Sequence, residues 1–157
     1  MKIVKKSLIL LLIAFVIAQF FSPEKNQGEI ASIDAFINET APPENVKVIL
    51  KEACLDCHSD VTKYPWYNSV TPVNYWIKRH IDHGKKHFNV SKWEGNSVKR
   101  KDHKFEELIE MVEAKEMPLN SYTWMHGEAK LTDEEIKAVI DWAKLVRIKY
   151  ALSPKPE

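Results

Sequence analysis

Five consecutive residues, Cys54-Leu55-Asp56-Cys57-His58, constrain this chain more than any other feature. They contain both of its cysteines, and an imidazole follows the second thiol directly. Such a pair can be a local disulfide, half of a metal site, a redox dithiol, or an attachment point for a porphyrin. The last use needs two thiols about one turn apart, reaching two vinyl groups, and an imidazole placed to bind the iron from the same side. The C-x-x-C-H spacing supplies both and is a haem-attachment signature. A redox dithiol instead belongs at the start of a helix in a βαβ unit, where the dipole lowers a thiol pKa. A zinc site wants a second ligand pair at short spacing; His80 with His83, or His83 with His87, offers one.

The amino terminus sets the compartment expected for the rest. Lys2, Lys5 and Lys6 precede an uncharged run, SLILLLIAFVIAQFF, over residues 7–21. A basic head before an apolar stretch is the layout of an export signal, and the charge asymmetry favours a cytoplasmic amino terminus. Val16-Ile17-Ala18 leaves cleavage open, but the apolar run continues through Phe20 and Phe21. The expectation is an N-terminal membrane segment that anchors the chain on the periplasmic side of the cytoplasmic membrane; a cleaved, soluble periplasmic form is the alternative. With no further cysteine for a disulfide between distant segments, the pair at 54 and 57 has to work locally.

The remaining chain reads as all-α. Residues 22–42 are polar and irregular, ending in Ala41-Pro42-Pro43, and read as a tether. Pro43 suits a first helical turn, and Val46, Ile49, Leu50 and Ala53 then step along one helical face that Cys57 continues. A second helix is expected from Pro72 to His87, with Val73, Trp76, Ile77, His80 and Ile81 on one side, and a loop from Phe88 to Asn96. Phe105, Leu108, Ile109 and Val112 mark a third helix ending before Met117-Pro118, since a residue preceding proline disfavours helix. Thr132-Asp133-Glu134-Glu135 is a capping box, followed by a buried stripe of Ile136, Val139, Ile140, Ala143 and Val146. The expected organisation is a segment at 1–21, the tether at 22–42, one cytochrome c-like domain at 43–150, and a tail at 151–157.

Iron bound by His58 would need a second axial ligand in a low-spin electron carrier, usually Met or His. Met117 is favoured, because a thioether on a loop beside a fixed proline can approach the metal without helix backbone in the way. Met125 with His126, or one of the histidines at 80, 83, 87 and 103, remain alternatives. So do core packing for Met117 and an open sixth position. Trp66, Tyr67, Trp76, Trp93 and Trp124 could wall a porphyrin, although ordinary core packing would account for each.

Several blocks resemble the haem-binding domain family of small, exported, cytochrome c-like proteins. They are CLDCHSD at 54–60, KYPWY at 63–67, TPVNYW at 71–76, SKWE at 91–94, EMPLNSYTWMH at 116–126 and the LTDEE-led helix from 131. The resemblance covers residues 45–147 and implies one haem c, covalently bound at Cys54 and Cys57, with His58 as proximal and Met117 as distal iron ligand. The function expected is one-electron transfer with redox partner proteins; the alternative is a haem-based sensor with an exchangeable sixth ligand. A catalytic residue is not expected. A net charge of +1 gives no basic footprint for nucleic acid.

Overall fold

The computed structural model describes residues 2–153. Among them are eight α-helices: α1 (Lys2–Ala18), α2 (Asp34–Thr40), α3 (Glu44–Ala53), α4 (Leu55–His58), α5 (Val73–His87), α6 (Val98–Glu113), α7 (Asn120–Thr123) and α8 (Asp133–Leu152). Short 3₁₀ turns join several of them, and the sole β feature among the described residues is an isolated antiparallel bridge between Gln27 and Val61.

The all-α architecture follows from helical periodicity, and its core is built on α8. The Thr132 hydroxyl accepts from the Glu135 N–H at 3.2 Å, while the Glu135 carboxylate accepts from the Thr132 N–H at 2.8 Å. That box satisfies two otherwise orphaned donors at the helix start. Val139, Ile140, Ala143 and Val146 are buried as their spacing predicts, with Trp142 and Tyr150 extending the buried face. α8 packs along α6 and across α3. Arg147 fastens the first of these contacts by donating to Asp102 at 2.9 Å and to Glu106 at 3.0 Å.

Residues 22–42 are more than a tether. α2 places Phe36 at 0 % exposure in the centre of the core. There its ring meets Trp93 edge-on at 5.0 Å and stacks on Phe105 at 6.2 Å. The carbonyl of Thr40 accepts from the indole N–H of Trp142 at 3.0 Å. A seven-residue helix whose large apolar residues are the adjacent Phe36 and Ile37 is too short to announce itself by periodicity. The 88–96 stretch, expected as a loop, likewise has a 3₁₀ turn at Val90–Lys92 and delivers Trp93, 1 % exposed, to the same cluster.

The helix leading into the motif also differs from expectation. Pro43 caps α3 with extended backbone (φ −63°, ψ 161°) rather than occupying its first turn. Cys54 then breaks the helix (φ −124°, ψ −47°), so Cys57 and His58 ride on α4 and do not continue the α3 face. α5 matches its expected bounds, but its buried line is Asn74, Ile81 and Gly84. Trp76 and His80 lie at the edge of a cleft instead.

Among the described residues no helix is long and apolar enough to cross a membrane. The 17 residues of α1 span about 26 Å at 1.5 Å per residue, against a hydrocarbon core of about 30 Å. None of its side chains is buried.

Truncating Phe36 to Ala should cost about 3–5 kcal/mol, as for other large buried aromatics, read as a lowered urea midpoint with an unchanged slope. A loss below about 0.5 kcal/mol, the range of surface substitutions, would return residues 34–40 to the role of a spacer.

Candidate functional site

The site begins with a close approach between helices. α5 passes directly over α4 at Gly84, where an added Cβ would lie 2.6 Å from the Cys57 carbonyl oxygen. Only a residue without a side chain lets the two backbones meet there. One turn later the helix ends: the Phe88 N–H donates to the Gly84 carbonyl at 2.8 Å, and Phe88 itself turns extended (φ −143°, ψ 108°). Its carbonyl accepts from His58 Nδ1 at 2.8 Å. Because a carbonyl can only accept, Nδ1 carries the proton and the neutral ring keeps a lone pair on Nε2. A backbone carbonyl behind one ring nitrogen is the support that orients metal-binding histidines. Burial pushes the His58 pKa below its ordinary value, outweighing backbone hydrogen bonds with Phe88 and Gly84 that act the other way.

His58 opens onto a cleft of about 430 Å³, within the size range of small-molecule and cofactor sites. Ala53 and Cys57 share its wall with His58; α5 supplies Trp76, Arg79, His80, His83 and Gly84, and the segment before and into α7 supplies Met117, Pro118, Leu119 and Tyr122. Met117 therefore lines the same cleft as His58. Met125 and His126 do not: they line a smaller apolar pocket on the far side of Trp76 and Tyr122, which Cys57 also borders. His80 and His83 share the cleft; His87 and His103 are absent from its wall. Cys54 is not on the wall either, and packs against the core at the joint between α3 and α4.

The two residues between the cysteines hold the motif in place. Leu55 packs on the core. The Asp56 carboxylate accepts from the Lys63 N–H at 2.9 Å and from the Tyr122 hydroxyl at 2.9 Å, binding the motif to the loop after it and to α7. Burial, followed by the Asp56 charge, raises the Tyr122 pKa well above the usual phenol range. Tyr122 stacks on His126 at 4.3 Å, whose Nε2 is 2.7 Å from the Tyr67 hydroxyl. Asn26, far upstream, donates to the Ser59 carbonyl at 2.8 Å and to the Thr62 hydroxyl at 2.9 Å. Lys85 pairs with Asp60 at 2.7 Å. None of these partners can be read from helical spacing; the blocks CLDCHSD, KYPWY and EMPLNSYTWMH were the sequence signals that pointed here.

The rival readings lose their footing. Both cysteines are free thiols. Burial, helped by the other thiol, pushes Cys54 up to about 12, and burial, helped by Asp56, pushes Cys57 up to about 11. A redox dithiol needs the opposite shift. Among the described residues no group of three or more His, Cys, Asp or Glu side chains could hold a metal ion, so the histidines of α5 complete no zinc site. The donor set that remains is a neutral, backbone-supported imidazole, two protonated thiols on its own turn, and a thioether across an apolar cleft. These residues fit a haem: a thiol, imidazoles and a thioether line the cleft together with the aromatic rings of Trp76 and Tyr122, while Cys54 packs beside it against the core.

A helical domain with such a cleft defines a haem-binding module. A family model described as a haem-binding domain matches residues 13–145, and the chain belongs to that family; it is a haem-binding protein. No curated protein and no solved structure matches it.

In the cofactor-free chain, iodoacetamide should alkylate Cys57 slowly at pH 8 and faster as pH rises toward 11. A thiol held near 11 has about a hundredfold less thiolate there than one at the ordinary value. Alkylation as fast as free cysteine at pH 8 would contradict the burial of the motif.

Proposed function

We propose that the protein is a mono-haem c-type cytochrome that transfers single electrons at the outer face of the cytoplasmic membrane. Cys54 and Cys57 attach the haem through their sulfurs, His58 Nε2 is the proximal iron ligand, and Met117 Sδ is the distal ligand. The observation that carries this reading is the shared cleft: a backbone-oriented imidazole, a motif thiol and a thioether line one cavity. The bound haem supplies the redox chemistry, its iron alternating between ferrous and ferric.

The protein's part is to fix ligands and exclude water. Phe88 holds the His58 ring in one orientation and one tautomer. Pro118 and the packed base of Met117 hold the thioether against the core. A methionine opposite histidine raises the reduction potential relative to a second imidazole, and His80 and His83 are the imidazoles near enough to compete. Cys54 packs against the core at the α3–α4 joint, off the cleft wall, and attachment there would require its side chain to turn toward the haem.

The apolar amino terminus serves as an anchor. α1 continues through Gln19, Phe20 and Phe21 by turn hydrogen bonds to Val16, Ile17 and Ala18, which lengthens the apolar rod beyond 17 residues. Lys2, Lys5 and Lys6 stay on the cytoplasmic side, and redox partner proteins meet the domain outside.

The loaded protein should show a six-coordinate, low-spin spectrum with a methionine-to-iron charge-transfer band. Met117→Ala should abolish that band and admit carbon monoxide, and Met117→His should lower the reduction potential. Carbon monoxide binding by the unaltered protein, or an unchanged spectrum in Met117→Ala, would remove Met117 from the iron and favour a sensor with an exchangeable ligand.

A further inference from the structure

The end of α1 is not a free linker but is locked onto the domain. The Gln19 amide donates to the Thr71 carbonyl at 3.1 Å and accepts from the Thr71 N–H at 2.9 Å. The Thr71 hydroxyl donates to the Phe21 carbonyl at 3.0 Å, and Asn74 donates to the Ser22 hydroxyl at 3.3 Å. The apolar rod is therefore attached to the domain at Thr71 and Asn74.

The face around this attachment is aromatic and exposed. Phe20 and Phe21 flank the lock and are 83 % and 62 % exposed. Trp66, 80 % exposed, lies five residues before Thr71, so within about 17 Å of it along the chain. Its ring contacts Tyr67 at 5.7 Å, and Tyr67 is bonded to His126, two residues after Trp124, which is 85 % exposed. Met125 between them is also exposed. Short chain segments and the Tyr67–His126 bond thus link the end of α1 to the rim of the pocket beside the cleft.

The charges carried by the two segments that build this face are cationic. Residues 61–81 and 117–127 contain no Asp or Glu. Lys63 and Arg79 form no ion pair among the described residues, while Lys78 is paired with Asp82 at 2.7 Å. Upstream, Lys25 lies 5.6 Å from the Tyr64 ring centre. The carboxylates nearest the face are engaged: Asp56 by Tyr122 and Lys63, Asp60 by Lys85, and Glu128 by His126 at 3.2 Å.

We infer that this face, with Trp66, Trp124 and Met125 at its centre, rests on the bilayer interface, held there by the lock between Gln19 and Thr71. Indole rings settle where an apolar body and a polar N–H are both satisfied, at headgroup depth. Unpaired Lys63 and Arg79 suit anionic headgroups. Arg79 is six residues along α5 from Val73, about 9 Å at the helical rise, and Val73 is two residues beyond Thr71, so this part of the cleft wall lies within about 16 Å of the lock. Electron partners then approach within or along the membrane.

This inference rests on the anchor reading, and one experiment separates the two. The full-length haem-loaded chain is reconstituted in phosphatidylethanolamine–phosphatidylglycerol vesicles containing a lipid with a photoactivatable group at headgroup depth, then irradiated and mapped by mass spectrometry. Labelling is expected on residues 64–78 and 116–130. It should be absent from the equally apolar, exposed outer face of α8 at Leu145, Ile148 and Leu152. Gln19→Ala should reduce labelling of the aromatic face severalfold while the protein still floats with the vesicles. Flotation with label confined to α1, or label on α8 instead, overturns the docked face and leaves the anchor standing. Failure to float overturns the anchor and the docked face together.

Discussion

The hydrogen bond from His58 Nδ1 to the Phe88 carbonyl, 2.8 Å long, ties the chemistry of the site to the packing of the core. Phe88 is itself held by aromatic neighbours: its ring meets Trp93 at 5.8 Å and Phe36 at 6.0 Å. Those rings come from segments dozens of residues apart, gathered against Phe105 and Trp142 on α6 and α8. The orientation of one imidazole thus depends on a cluster that never touches the cleft. Gly84 completes the link, since without its close contact to Cys57 the end of α5 would not lie over the motif. Core geometry sets ligand geometry.

The cleft and the neighbouring pocket share Cys57, Trp76, His80, Leu119 and Tyr122 as a partition. That partition gives Met117 and His126 different surroundings although nine positions separate them. Met117 lines the same cleft as the supported imidazole. His126 is taken up by Tyr67, Tyr122 and Glu128, leaving no free nitrogen to aim at a metal. The hydrogen-bonded cluster around Asp56 turns the motif, α7 and the loop after the motif into one rigid wall.

What could be read from the sequence was what local physics writes locally. The capping box at Thr132 and the stripe from Val139 to Val146 were legible because helix ends and helical period are properties of a few neighbouring residues. The bounds of α5 and the motif at Cys54, Cys57 and His58 were legible for the same reason. Phe36 was not, although Ile33, Phe36 and Ile37 step at helical spacing, because the apolar run covers barely two turns of an otherwise polar segment. The break at Cys54 was hidden because the α3 periodicity runs smoothly into the motif, and the kink serves contacts with α5 that lie far along the chain. Phe88 and Gly84 looked like a loop and a helix interior; their roles exist only once α4 and α5 meet. Long-range pairings left no pattern to find, and they position the site.

The central claim is that this fold exists to hold one haem covalently beside His58. The most direct measurement is the mass of the full-length chain, made in cells with a haem-attachment system and then unfolded in acid, followed by mapping of its peptides. The account predicts a gain of one haem per chain that survives denaturation and resides on the peptide carrying both Cys54 and Cys57. A chain that loses its haem on unfolding, or carries it on another peptide, would contradict it.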